Sequence, residues 1–267
     1  MKIDGATRLF AIIGDPIKQA RTPALFNPLM EKAGVNAVLV PFHVRERDFD
    51  ASMKAIMGLG NLDGLVITYP FKEKSLALTD ELSERARRVG GLNAMRRGSD
   101  ERWVGDMFDG IGLLRAVEAR TNIAGSKVLL IGAGGAGRAI AFAFAEAGVA
   151  SITINDLDNK RAGDLAERIR RARPGCEARI GSALAEGHDI LVNATPIGMK
   201  AEDGLPGEIG ALSPSMTVAD IVPTPHMTPL LRKAVEAGAK SLAGSAMTEG
   251  QASAILEFFG IRTEAPD

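Results

Sequence analysis

Cysteine and histidine are almost missing from this chain. A single cysteine, Cys176, among 267 residues excludes an internal disulfide and a cysteine-rich metal site, and nothing points to an oxidising compartment. Three histidines, His43, His188 and His226, form no local cluster, so no metal is expected. Charge of one sign is lacking as well. The 32 basic residues are offset by 33 acidic ones, and a net charge of −1 argues against a basic nucleic-acid face. No stretch approaches the roughly 18 uncharged apolar residues of a bilayer-spanning helix. The opening Met1-Lys2-Ile3-Asp4-Gly5 has neither the charged start nor the apolar core of a signal peptide. The expectation is a cytoplasmic protein with no membrane and no nucleic-acid partner. Disorder is also excluded, since 46% hydrophobic and 24% charged residues are ordinary for a globular chain.

The length corresponds to about 1.8 average domains, and short apolar runs alternate with amphipathic stretches throughout. Strand-like runs fall at Leu9–Ile13, Val38–His43 and Leu65–Thr68, and helical ones at Pro23–Ala33, Phe49–Met57, Leu76–Leu78 onward and Leu82–Val89. Thr22 is placed as an N-cap before Pro23. After Gly105-Asp106 a second block begins with a helix over Gly110–Ala119, for which Asp109 is the expected N-cap. Strands follow at Lys127–Ile131, Ser151–Asn155, Ile190–Asn193 and Val218–Val222. Helices follow at Arg138–Ala147, Arg161–Arg171, Pro229–Ala237 and Thr248–Phe259. This alternation is the βαβ pattern of a parallel sheet in both blocks.

Between the strand Lys127–Ile131 and its helix lies Gly132-Ala133-Gly134-Gly135-Ala136-Gly137, a full Gly-x-Gly-x-x-Gly fingerprint. Glycines there allow a tight turn, backbone approach to a pyrophosphate and close helix–strand packing, while the helix N-terminus supplies unpaired N–H groups. Alone the pattern is weak. Its context is specific, because a second strand arrives and ends in an acidic residue, Asp156, 19 positions after Gly137. A carboxylate there can bind the ribose hydroxyls of NAD and repels the extra phosphate of NADP, so NAD is expected, with NADP the lesser alternative. Asp158 reads as a turn residue and helix cap.

Together with that loop, several segments make the chain resemble the shikimate/quinate dehydrogenase family along nearly its whole length. They are Gly14-Asp15-Pro16-Ile17, Thr68-Tyr69-Pro70-Phe71-Lys72, Gly90-Gly91-Leu92-Asn93, Gly105-Asp106-x-x-Asp109-Gly110, Asn193-Ala194-Thr195-Pro196-Ile197-Gly198-Met199 and Gly244-x-x-Met247 with Gln251. The resemblance implies two α/β domains. A Rossmann-type, doubly wound parallel-sheet nucleotide domain (108–242) is inserted into a substrate domain (1–107 plus 243–267), with substrate in the cleft. It implies an oxidoreductase, NAD- or NADP-linked, acting on the ring hydroxyl of shikimate, quinate or a related cyclic hydroxy acid, the chemistry of aromatic amino acid biosynthesis. A monomer or homodimer is expected.

By the same resemblance Lys72 and Asp109 are catalytic. Thr22, Thr68, Tyr69, Asn93 and Gln251 meet the substrate. The cofactor set comprises Gly132, Ala133, Gly134, Gly135, Ala136, Gly137, Asn155, Asp156, Asn193, Thr195, Pro196, Ile221, Gly244 and Met247. Plainer readings stand beside these: Lys72 as a surface lysine, Asp109 and Thr22 as helix caps, Tyr69 packed beside Pro70. Departures from the family cluster at the expected substrate. Ala20-Arg21-Thr22 stands for its Ser-x-Ser, Val66 for an Asn and Met107-Phe108 for Asn-Thr, and no tyrosine follows Asp220-Ile221-Val222. Two other functions remain open at this point: a non-catalytic NAD-binding or regulatory protein, and an NADP-linked biosynthetic dehydrogenase.

Overall fold

The protein is described from a computed structural model covering residues 2–200 and 202–263. Its chain divides into two compact units, residues up to Phe108 with those from Gln251 onward, and Asp109–Gly250. The expected division placed 243–250 with the N-terminal block. In the structure these residues cluster with the second unit, because Gly250 packs so closely on Gly112 that a Cβ there would lie 2.2 Å from the Gly112 carbonyl oxygen. Residues 264–267 of the expected substrate segment lie outside the described residues.

The first unit contains β1 (Arg8–Gly14), α1 (Thr22–Lys32), β2 (Ala37–His43), α2 (Phe49–Met57), β3 (Leu62–Ile67), β4 (Glu81–Leu82), α3 (Glu84–Val89), β5 (Ala94–Arg97) and β6 (Trp103–Asp106). Its sheet runs β2-β1-β3-β5-β6-β4. The pairs β1–β2 and β1–β3 are parallel, but β5 lies antiparallel to both β3 and β6. The expectation of a parallel sheet is therefore corrected here. The hairpin β5–β6 is short, carries Arg96 and Arg97, and has no apolar periodicity to betray it. Leu82, expected in a helix, pairs instead in β4. Leu76–Leu78 belongs to a single 3-10 turn, Lys74–Leu78. Phe10, Phe26, Met30, Phe49, Met53 and Phe71 are buried in the core, with Phe49 stacked on Phe71 at 4.4 Å. The Asn27 side chain bonds both backbone groups of Leu39, tying α1 to edge strand β2.

The second unit holds α4 (Asp109–Glu118), β7 (Lys127–Ile131), α5 (Gly135–Glu146), β8 (Ser151–Asn155), α6 (Asn159–Ala172), β9 (Glu177–Ile180), β10 (Ile190–Asn193), β11 (Thr217–Asp220), α7 (Pro229–Glu236) and β12 (Lys240–Leu242). All five strand pairings are parallel, in the order β12-β11-β10-β7-β8-β9. The chain lays β8 and β9 on one side of β7, then returns to lay β10, β11 and β12 on the other. That reversal makes a switch point between the carboxyl ends of β7 and β10, where open parallel sheets bind ligands. The last helix, α8 (Gly244–Phe258), begins four residues before the expected Thr248. Gly244 acts as a close-packing residue: a Cβ there would sit 2.3 Å from the Val222 carbonyl oxygen.

Candidate active site

The glycine loop follows β7 directly, and its glycines divide into two kinds. Gly132 has φ +99°, and a Cβ on it would meet Ala194 and Thr195 at 2.9 Å. Gly137 presses on the loop itself, since a Cβ would fall 2.0 Å from the Gly132 oxygen. These two are demanded by packing. Gly134 and Gly135 are not, because a Cβ on either meets nothing within 4 Å. Gly134 is the N-cap of α5 and offers no side-chain cap, so the first amides of the helix stay uncovered, and a pyrophosphate is the group such a terminus suits. Helix α5 starts at Gly135, not at Arg138 as expected; the loop supplies its first turn.

Asp156 Oδ2 accepts the Ala133 N–H at 2.7 Å and Oδ1 accepts the Asp158 N–H at 2.9 Å, with Arg161 Nη1 3.9 Å away. The carboxylate is thus oriented beside the glycine loop. Asp158 caps α6, accepting from the amides of Lys160 and Arg161. Asn155 spends its side-chain amide on the Gly181 carbonyl at 2.8 Å, so its side chain binds β9's end.

Across the switch point, Asn193 is fully buried. Its Oδ1 accepts from Thr195 N (3.0 Å) and Thr195 Oγ1 (2.7 Å), and its Nδ2 donates to Ile197 O and Asp220 Oδ1, both at 3.0 Å. Pro196 is exposed on the same turn, and Ile221 N donates to Asn193 O at 3.1 Å. Met247 is buried in α8. Asp109 begins α4 from inside the helix, 1% exposed, and is not a residue preceding it.

In the first unit, Thr68, Tyr69 and Lys72 follow β3. Thr68 N donates to Ile13 O at 2.9 Å, Asp15 N to Tyr69 O at 3.0 Å, and Leu92 N to Lys72 O at 2.9 Å. Backbone bonds thereby fasten the Lys72 loop to the end of β1 and to the turn that carries Asn93. Asn93 Oδ1 accepts Phe108 N and its Nδ2 donates to Gln251 Oε1, each at 2.8 Å, and both side chains are buried. Thr68, Tyr69, Lys72, Asn93 and Gln251 are gathered this way. Thr22 is buried in the first turn of α1, whose N-cap is Arg21 with no side-chain cap, so the expected capping role is corrected. No hydrogen bond among the described residues joins Thr22 to the others. Tyr69 is 71% exposed and not packed away.

The Shikimate dehydrogenase substrate binding domain pattern matches residues 12–95, and the Shikimate / quinate 5-dehydrogenase pattern matches residues 115–197. A shikimate dehydrogenase (NADP(+)) of Pyrococcus furiosus is 36% identical over 91% of this chain and 86% of that relative. The chain belongs to the shikimate dehydrogenase family. It is an NAD(P)-linked oxidoreductase. Among solved members and their kin, the Listeria monocytogenes shikimate 5-dehydrogenase bound to shikimate and NAD superposes with a TM-score of 0.87 at 29% identity, covering 98% of this chain and 95% of that one. The ligand-free 5-ketofructose reductase of a Gluconobacter strain superposes with a TM-score of 0.85 at 31% identity, covering 97% and 95%.

Two polar centres of this shikimate dehydrogenase family member escaped the sequence reading as sites. Asp106, at the end of β6, takes hydrogen bonds from Ser83 Oγ, Arg85 Nε (3.2 Å), Arg85 Nη2 (2.6 Å) and Met107 N (2.7 Å). It shapes the backbone immediately before Phe108, whose amide holds Asn93. Asp220, at the end of β11, is buried and surrounded by neutral donors. Burial pushes its carboxyl above the usual carboxylate range, against the opposing bonds from Thr228, Val222 and Asn193. In the sequence it is marked by an acidic residue closing an apolar run and by the family comparison at Asp220-Ile221-Val222. Among the described residues no group of three or more His, Cys, Asp or Glu is disposed to hold a metal, and no helix is long and apolar enough to cross a membrane.

Proposed function

We propose that this chain transfers a hydride between NAD and the ring hydroxyl of shikimate, quinate or a related cyclic hydroxy acid. The observation that carries the reading is the uncovered glycine-loop amides at the switch point, in a chain whose relatives are shikimate dehydrogenases. When bound, the nicotinamide ring supplies the hydride acceptor. Gly134, Gly135 and the neighbouring loop amides hold the pyrophosphate, and the Asp156 carboxylate accepts from the ribose hydroxyls. Asn193, Thr195, Pro196, Ile221, Gly244 and Met247 form the nicotinamide side. Asn155 keeps the end of β8 in place through Gly181. Lys72 takes the hydroxyl proton at Nζ and returns it in the reverse direction. Asp109 accepts a hydrogen bond from a second ring hydroxyl and so orients the reacting one. Thr22, Thr68, Tyr69, Asn93 and Gln251 bind the acid's remaining polar groups.

The preference for NAD rests on Asp156. Its oxygens are already turned toward the loop amides, and a 2′-phosphate brought there would meet a carboxylate, with Arg161 at 3.9 Å as the nearest counter-charge. The cytoplasm is the expected compartment, and a monomer or homodimer the expected state. The non-catalytic alternative is not favoured, because a binding protein has no need of Lys72 and Asp109 together. A second substrate reading, a neutral keto-sugar or polyol, is favoured by Ala20, which offers no hydroxyl beside exposed Arg21, and by the 5-ketofructose reductase neighbour. The test is a spectrophotometric screen of both cofactors against shikimate, quinate, their dehydro forms and 5-ketofructose. Turnover of a ring acid supports the first reading, turnover of the sugar alone supports the second, and turnover of none overturns both.

A further inference from the structure

At the carboxyl end of the second unit's sheet, one side chain joins three separate pieces of backbone. Asp220 Oδ1 accepts Asn193 Nδ2 at 3.0 Å and Val222 N at 3.1 Å, while Oδ2 accepts Thr228 Oγ1 at 2.7 Å. Asn193, Asp220 and Thr228 are each 0–1% exposed. Thr228 in turn caps α7 by accepting Leu231 N at 3.2 Å. No lysine, arginine or histidine pairs with Asp220 among the described residues. A carboxylate accepts only, so it dictates which way its neighbours face. It draws the Asn193 amide nitrogen toward itself and leaves Asn193 Oδ1 to receive both Thr195 N and Thr195 Oγ1. The Thr195 oxygen also accepts Ile197 N at 3.2 Å, so its hydroxyl has one direction. An amide at position 220 could present either end and would not dictate this. Close packing relays the order outward. Gly198, at φ +105°, has its Cβ position 3.4 Å from Thr228, and the Val222 carbonyl lies against Gly244.

We propose that Asp220 is a positioning residue that sets the turns after β10 and β11 in the geometry that receives the nicotinamide half of the dinucleotide. The proposal rests on the cofactor reading above. It separates the two halves of the dinucleotide, because the glycine loop is held by other bonds: Gly132 N to Asn155 O at 2.8 Å and Ala133 N to Asp156.

The experiment titrates the full-length protein and its Asp220→Asn variant with NADH and with ADP-ribose, which lacks the nicotinamide. Thermal unfolding is followed in parallel. NADH affinity is expected to fall about tenfold to a hundredfold, the effect of losing charge-assisted hydrogen bonds. ADP-ribose affinity is expected to stay within about twofold, a selectivity that general loosening of the unit does not produce. Equal losses for both ligands, or no loss for either, overturn the proposal. Should Asp220→Asn fail to fold, Thr228→Val removes one donor and keeps the carboxylate, and the same selective loss of NADH affinity, smaller in size, is required. If the unaltered protein binds neither ligand, the cofactor reading fails first and this proposal with it.

Discussion

The glycine loop offers a pair of substitutions with opposite expected outcomes. In Gly137→Ala the new methyl carbon would lie 2.0 Å from the Gly132 carbonyl oxygen and 2.9 Å from its carbon. Both atoms are backbone, and neither can swing away as a side-chain tip would. Helix α5 must therefore retreat from the end of β7 by more than 1 Å to restore ordinary contact at roughly 3.2–3.4 Å. Overpacking of this kind costs about 3 kcal/mol, which lowers the melting temperature of a unit of this size by roughly 6–12 °C. Gly134→Ala meets nothing within 4 Å, and the backbone at Gly134, φ −70° and ψ −172°, is extended and open to alanine. Stability is expected to hold or to rise by about 0.4–1 kcal/mol through the less flexible unfolded chain. The methyl enters the open space beside the loop, where a pyrophosphate held by these amides would lie, and dinucleotide affinity is expected to fall at least about tenfold, or 1.4 kcal/mol. Differential scanning calorimetry and NADH fluorescence titration measure the two effects. Wild-type affinity in Gly134→Ala would refute the pyrophosphate site, and an unchanged melting temperature in Gly137→Ala would refute the close strand–helix contact.

Four further outcomes are expected. The enzyme should favour NAD over NADP by about tenfold to a hundredfold in kcat/KM, from charge repulsion and a lost 2′-hydroxyl bond at Asp156; equal or better efficiency with NADP sinks that reading. Lys72→Ala should lower turnover by on the order of 10² to 10⁴ with cofactor affinity unchanged, and near-normal turnover across all pH values would make Lys72 a surface lysine. Ala20→Ser should lower KM for shikimate or quinate, by the weight of one hydrogen bond to a carboxylate, about 1.5–3 kcal/mol, and leave kcat nearly alone; no change with either acid would indicate a pocket built for another substrate. Because burial raises the Asp220 carboxyl above its ordinary 3.8, the native state holds that proton more tightly than the unfolded chain. This contribution is present below about pH 3.8 and is lost as pH rises through the native value. Urea unfolding compared between wild type and Asp220→Asn across that window should show the wild type losing ground as pH rises; a constant difference would contradict the raised value.

The nucleotide-loop region was legible along the chain because each of its requirements is local. Strands β8 and β10 fall on the runs Ser151–Asn155 and Ile190–Asn193 as read, and α2 on Phe49–Met57, since a buried strand or an amphipathic helix writes its own periodicity. The glycine spacing and the carboxylate of Asp156 could likewise be read in order, one turn after one strand. Non-local pairing is what the pattern left out. β5 reads Ala-Met-Arg-Arg, with no alternation of its own, and exists because Leu65 and Gly105 lie on either side of Met95 to pair with it. Edge strands β9 and β12 are four and three residues long, too short to carry a period. Thr22 looked like a cap and is instead a buried first-turn residue, a difference decided by where α1 packs. Asp106 finds Arg85 at 21 residues' separation, and Asp220 finds Asn193 at 27. A carboxylate's hydrogen-bond partners are selected by distance in space, and only the folded sheets bring those atoms within 3 Å.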